Sequence, residues 1–306
     1  METVIVKACV FYFIILVGYV FKRTQFLDDH ALKLLSKLML KVTSPGLIIM
    51  SLANIKIELK QLLLIGLGIV FPIIYLLVAL FQYRNTSAQQ RAEAVISYSG
   101  YNIGAFGLPF IQNFFSGSAV LATALFDIGN SFIVLGGSLA VAQSQLHTKN
   151  RFRFSTLLKM VFSQVAILTY LVMILLGLLH IPTPEFVLEL AKPFGQATTM
   201  VAMLMLGLAI DIRLDKHFLN RMVKILLSRY CVSAILASIV YFVLPLPIDL
   251  KQILVLLVFT PIPIVSTAFI HSIKGDTELS GAVSSLSILI SIPIMSALLV
   301  MMGHIA

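Results

Sequence analysis

The stretch Gly100-Tyr101-Asn102-Ile103-Gly104-Ala105-Phe106-Gly107-Leu108-Pro109 decides the fold. Three glycines and a proline within ten residues cannot hold a continuous helix. Pro109 has no N–H to donate, and it turns Leu108 away from the helical region. Yet the stretch lies inside an apolar run, 92–115, that is long enough to cross a bilayer. Unwound backbone at membrane depth must face protein or a wet cavity. A second break, Thr260-Pro261-Ile262-Pro263-Ile264-Val265-Ser266-Thr267, interrupts another such run at 251–273. The half-helix after each break presents free N–H groups and a positive dipole end, which favours an anion. Close helix packing is the competing reading, because Gly100 and Gly104 also have Gly-x-x-x-Gly spacing.

The rest of the chain supplies the solvent for those breaks. Hydrophobic residues make up 59% of its 306 residues and charged residues 11%. A soluble domain carries about 25% charge, so water cannot be the solvent for most of this surface. Disorder, a fibre, a disulfide-rich module and a soluble enzyme are excluded. Ten apolar runs emerge at 3–22, 31–53, 59–83, 92–115, 118–146, 157–179, 185–210, 219–244, 251–273 and 279–303. The first has neither a basic start nor a small-residue cleavage site, and is expected to remain as a helix.

The net charge is +9, but the basic residues sit between apolar runs. That pattern encodes topology and not nucleic-acid binding. With the N-terminus outside, fourteen Lys and Arg fall on the inner side against five on the outer. Lys37, Lys41 and Arg229 lie inside runs and stay unassigned. Both termini are then extracytoplasmic, in a multi-pass protein of the cell membrane. Cys9 and Cys231 lie within apolar runs and lack metal-type spacing, so neither disulfide nor metal is expected. The basic connection around 147–159 reads as topology signal or as a lipid-head-group site.

The two halves resemble each other at a shift near 156 residues. Ser51-Leu52-Ala53 lies over Gly207-Leu208-Ala209, and each is followed by a short polar exit. The broken fourth run falls over the broken ninth. Five runs per half is an odd number, so the halves must insert in opposite directions. The expected organisation is a first repeat at 1–147, a basic linker at 148–156 and an inverted repeat at 157–306. Inverted repeats with paired broken helices point to a transport site at the midplane. The fold class expected is an all-α integral membrane protein with crossing helices 4 and 9.

Asp127 is the one acid placed deep in the bilayer, where a charge costs about 2.5–3.5 kcal/mol on insertion scales. Thr123, Asp127 and Ser131 share a helix face, with Asn130 beside them. Asp127 and Asn130 are the candidates for coupling-ion binding, and a structural acid is the alternative. Ser280, Ser284, Ser287 and Ser291 form a matching stripe, for packing or for lining a cavity. Gln196 and Thr198 belong to a polar cluster after Pro193, open to packing or substrate contact. Lys33, Lys37 and Lys41 share a face, for snorkelling or for an anion-attracting vestibule.

Asn102 through Pro109 resembles the fourth-helix signature of the auxin efflux carrier family, which includes bacterial malate permease-type proteins. Leu125 to Asn130, Gly195 to Thr199, Leu206-Gly207-Leu208 and Pro263 through Gly275-Asp276 are similar to other family segments. The resemblance implies ten helices in two inverted repeats. It also implies an elevator motion of a transport domain against a scaffold of helices one, two, six and seven. Carried over by residue, Asn102, Gly104, Pro109, Asp127 and Asn130 would belong to the transport domain near the crossing. The chain lacks the long central loop of many plant members, and Thr260-Pro261 stands where an Asn-Pro would supply a second amide.

The expected function is secondary transport of small organic anions, carboxylates such as malate, by alternating access. The substrate-binding candidates are Asn102, Gly104, Gly107, Pro109, Thr260, Pro261, Pro263, Ser266, Thr267, Gln196 and Thr198. No cofactor is expected, and coupling to H⁺ or Na⁺ is left open, as is a homodimer. The partners are the lipid bilayer and the anion. A sodium-coupled symporter of related fold is the nearest rival. A channel would need a charged pore ring, and an intramembrane enzyme would need paired acids or a nucleophile motif; neither is visible.

Overall fold

The computed structural model describes residues 2–55, 59–115, 117–146, 154–210 and 216–302. Among them every regular element is helical. The first five apolar runs become α1 (Glu2–Arg23), α2 (Asp29–Leu38) with α3 (Ser44–Leu52), α4 (Leu63–Gln82), α5 (Ala88–Tyr98) with α6 (Leu108–Phe114), and α7 (Ser118–Phe132) with α8 (Ser138–Gln145). The last five become α9 (Phe154–Phe162) with α10 (Val165–Leu178), α11 (Glu185–Ala209), α12 (Lys216–Ser238), α13 (Ile248–Leu257) with α14 (Val265–Ser272), and α15 (Thr277–Met301). Wider π-turns join α2 to α3 at Met39–Thr43 and α7 to α8 at Ile133–Gly137. Among the described residues five helical stretches are long and apolar enough to cross a membrane, His30–Leu52, Leu63–Gln82, Ser118–Gln145, Leu219–Val243 and Thr277–Met301, or six with the bent pair Ser155–Phe162 and Val165–Leu178. The protein is an all-α membrane protein.

Local signals set the ends of several helices. The Asp28 carboxylate accepts from the Ala31 N–H at 2.9 Å and caps α2. That hydrogen bond holds the Asp28 carboxyl below the usual carboxylate range. Ser87 caps α5 through the Gln90 N–H, and Asp276 caps α15 through the Leu279 N–H.

The run 157–179 is bent by 79° between α9 and α10. The corner is Ser163-Gln164. The Ser163 hydroxyl turns back to the Met160 carbonyl, and Gln164 adopts extended backbone. Helix α9 also begins at Phe154, inside the stretch assigned to the linker. The remaining linker residues through 153 lie outside the described residues, with Lys149, Arg151 and Arg153. So do most of the two polar exits, 56–58 and 211–214.

Packing sorts the helices into two groups. In the first, α11 packs on α1 and α3, and α3 packs on α10. Glycines let the backbones touch: a Cβ on Gly18 would sit 2.3 Å from the Leu204 carbonyl oxygen, and one on Gly207 2.1 Å from that of Ile15. Gly46 and Gly195 do the same between α3 and α11. In the second group, α4 packs on α7 through Gly68 and Gly129, α5 on α8 and α14, and α15 on α12 and α14. Buried Glu93 of α5 locks this group at one end. It accepts from Arg221 of α12 at 2.7 Å and from the Asp276 N–H at 3.2 Å. The groups meet where α10 faces α7 and where α11 faces α6.

Candidate functional site

The two broken helices cross, and the crossing is stitched by backbone. After Tyr98 the chain leaves the helix, and Gly100 takes φ +74°. Only glycine serves there, since a Cβ would lie 1.9 Å from a Val134 methyl. The Asn102 N–H then donates to the Pro261 carbonyl at 3.0 Å, joining break to break. The chain re-enters a helix through the π-turn Ile103–Gly107, whose Gly107 N–H donates to the Asn102 carbonyl at 2.9 Å. A Cβ on Gly107 would press the Thr260 methyl at 3.2 Å, so Gly107 permits the close crossing. Pro109 sits in the first turn of α6, directly after the π-turn.

Side chains from neighbouring helices satisfy the exposed backbone. Asn130 of α7 donates to the Tyr101 carbonyl and accepts from the Tyr101 N–H, both at 2.9 Å. Ser287 of α15 accepts from the Ile262 N–H at 3.0 Å and donates to the Ser284 carbonyl. Thr267 bonds Ser280 at 3.1 Å, and Ser291 bonds the Tyr230 hydroxyl at 2.9 Å. Ser287 and Ser280 therefore hold the ninth break and α14, Ser291 ties α15 to α12, and Ser284 Oγ has no hydrogen bond among the described residues. The Thr260 hydroxyl turns back to the Leu257 carbonyl at 2.7 Å, capping the end of α13. Ser266 is buried in the first turn of α14, and its N–H donates to the Pro263 carbonyl.

Arg229 is the residue the sequence left unassigned, and it lies at the centre of this arrangement. It comes from the middle of α12 and is 0% exposed. Its guanidinium donates to the carbonyls of Tyr98 at 2.6 Å, Gly100 at 2.7 Å and Thr260 at 3.3 Å. The rings of Tyr75 and Tyr101 lie 5.1 and 5.6 Å from it. These carbonyls belong to the C-terminal ends of α5 and α13, where the helix dipole is negative. No carboxylate pairs with it among the described residues. A lone arginine deep in an apolar run was the available signal, but its acceptors are backbone atoms and leave no trace in composition.

Beside the crossing is a seam of buried polar groups without partners. Thr43 Oγ1, Ser44 Oγ, Tyr170 Oη and Asn102 Nδ2 have no hydrogen bond among the described residues. Thr43 and Ser44 lie at the junction of the π-turn Met39–Thr43 with α3. That stretch packs against the π-turn 103–107, α7 and α10. Tyr170 is on α10, which packs against α7, the helix that carries Asp127. Asp127 accepts from Asn130 Nδ2 at 3.2 Å, and its other oxygen faces Gly104, 3.8 Å from where a Cβ would stand. Each unsatisfied buried group costs about 1–3 kcal/mol, so four along one seam mark a place where a ligand or water would be held. All four can donate, and a carboxylate can accept from each.

The remaining candidates are placed elsewhere. Gln196 is exposed on α11, and Thr198 bonds back to the Phe194 carbonyl of its own helix at 3.2 Å. Lys33, Lys37 and Lys41 are exposed along α2 and the following turn. An open cleft of about 210 Å³ lies between the ends of α3 and α10, lined by Leu52, Asn54, Met173 and His180 among others. It shares nothing with the crossing, and it has none of the unpartnered groups that mark the seam. Thr43, Ser44 and Tyr170 had no distinguishing pattern in the sequence beyond the Thr-Ser-Pro-Gly interruption at 43–46.

Residues 3–134 match the family model described as membrane transport protein. The match, over less than half of the chain, points to a membrane transporter. It supports the auxin efflux carrier family, and the matched residues run from α1 into the turn after α7, including the fourth-helix break and Asp127. This transporter family is not an enzymatic one. No curated protein matches the chain.

Proposed function

We propose that this transporter moves small organic anions, carboxylates of the size of malate, by alternating access. The observation that carries the reading is the seam itself. Four buried donors without partners lie between the two helix groups, beside a crossing of two broken helices. The donors belong to both groups: Thr43, Ser44 and Tyr170 on one, Asn102 on the other. A carboxylate bound there would bridge the groups, and sliding one group past the other would carry it across. The pairing of two interrupted helices, with α6 and α14 beginning 157 residues apart at Leu108 and Val265, supports two inverted repeats and ten spans. The grouping of α1, α3, α10 and α11 supports an elevator scaffold.

Asp127 takes the coupling role. A carboxylate substrate and an ionised Asp127 at the same seam repel each other. A proton or a sodium ion on Asp127 removes that repulsion, so loading the ion and loading the anion go together. An inside-negative potential favours anion export by about 2.3 kcal/mol per charge per 100 mV, and uptake would draw on the coupled cation. The cell membrane, with both termini outside, is the location consistent with the basic residues.

Counterflow in reconstituted vesicles tests the reading. Vesicles are loaded with unlabelled malate or phenylacetate and diluted into a trace of the labelled compound. Transient accumulation of label is expected, as only a carrier gives it. A folded preparation that accumulates neither acid, nor any other carboxylate, would overturn the anion assignment.

A further inference from the structure

We propose that Arg229 sets the charge selectivity of the crossing, by cancelling the two negative helix ends that meet there. The inference rests on the anion reading and explains how the site attains the charge it needs.

A crossing of two broken helices is not by itself an anion site. Four helix ends meet there, two N-terminal and two C-terminal. Each carries about half a charge, positive at N-termini and negative at C-termini. The four sum to about zero. Here the negative ends are those of α5 and α13, and the positive ends begin the helical run 103–114 and α14. Arg229 touches only the negative pair, through the carbonyls of Tyr98, Gly100 and Thr260. Its one unit of charge offsets both, and the positive pair remains.

Asp127 completes the sum. Its carboxylate faces Gly104, in the first turn of the run 103–114. With Asp127 ionised the crossing sums to about zero; with Asp127 protonated or bound to sodium it sums to about +1. An anion is then attracted only to the loaded state. Remove the charge of Arg229 and the two states fall to about −1 and zero, neither of which attracts an anion. The ligand's place is marked independently by Asn102 Nδ2, which is 6% exposed and has no partner among the described residues. Arg229 is thus a positioning and specificity residue that acts through the field and does not touch the substrate.

The test compares an acid with its uncharged amide: malate with malamide, and phenylacetate with phenylacetamide, in counterflow. Arg229→Gln keeps an amide donor for the carbonyls and loses the charge. The wild type is expected to prefer acid over amide, Arg229→Lys to keep that preference, and Arg229→Gln to lose about tenfold of it or more. Wild-type protein that carries neither acid defeats the anion reading itself. Wild-type protein that carries acid, with Arg229→Gln keeping the full preference, defeats only the role of Arg229. Should Arg229→Gln fail to fold, Arg229→Ala is prepared in millimolar guanidinium or urea. The two have the same shape and both donate to carbonyls, but only guanidinium is charged. Preference for acid restored by guanidinium and not by urea is expected; restoration by urea would overturn the inference.

Discussion

Asn130 holds Tyr101 by both of that residue's backbone groups, its amide accepting from the N–H and donating to the carbonyl at 2.9 Å each. One side chain thereby replaces two hydrogen bonds that the broken helix cannot make. The same amide nitrogen also reaches Asp127 at 3.2 Å. Asn130 therefore fixes the shape of the break and the orientation of the carboxylate together.

Asn130→Ala should destabilise the protein markedly. It leaves the Tyr101 N–H buried without its acceptor, at about 1–3 kcal/mol, while the Tyr101 carbonyl keeps the Ile103 N–H at 3.0 Å. Thermal unfolding in detergent is expected to shift clearly downward, and adding the transported acid should recover only part of the loss. An unchanged melting temperature would mean that the break finds other partners.

Gly104 and Gly129 should behave oppositely, though both are helical glycines near Asp127. A Cβ on Gly129 would lie 2.1 Å from the Ile65 backbone oxygen, so α4 and α7 would have to part. Gly129→Ala is expected to cost at least about 1–3 kcal/mol and to lower the yield of folded protein. A Cβ on Gly104 meets only the Asp127 carboxylate, at an ordinary 3.8 Å. Gly104→Ala should fold as well as the wild type, yet slow transport by filling the space before Asp127. Size-exclusion profiles and counterflow rates, read side by side, separate the two effects.

Asp127→Asn retains the shape of the side chain and an oxygen that can accept from Asn130. The variant should melt within about 1 kcal/mol of wild-type stability. Its counterflow should lose dependence on the coupling cation: on pH if the cation is a proton, on sodium if it is Na⁺. Rates that follow the wild-type pH and sodium profiles would remove Asp127 from the coupling.

The breaks were legible in the sequence because their cause is local. Gly100, Pro109, Pro261 and Pro263 cannot continue a helix in any surroundings, and 59% hydrophobic composition puts them in lipid. Asp127 was legible for a similar reason, since an acid in an apolar run stands out against its neighbours. The bend at Ser163-Gln164 was not, because Ser and Gln are tolerated within membrane helices and no proline or glycine marks the corner.

What the tertiary structure alone decided is where each polar group is spent. The sequence offers Thr260, Ser287, Asn130 and Asn102 as equals, all polar and all near a break. Packing commits the Thr260 hydroxyl to Leu257 and Ser287 to Ile262, and leaves the Asn102 amide nitrogen free. Arg229 shows the limit most plainly. Its acceptors are carbonyls 131, 129 and 31 residues away, and every residue carries a carbonyl. A backbone acceptor has no side-chain signature, so only the crossing of the helices could reveal which ones the guanidinium holds.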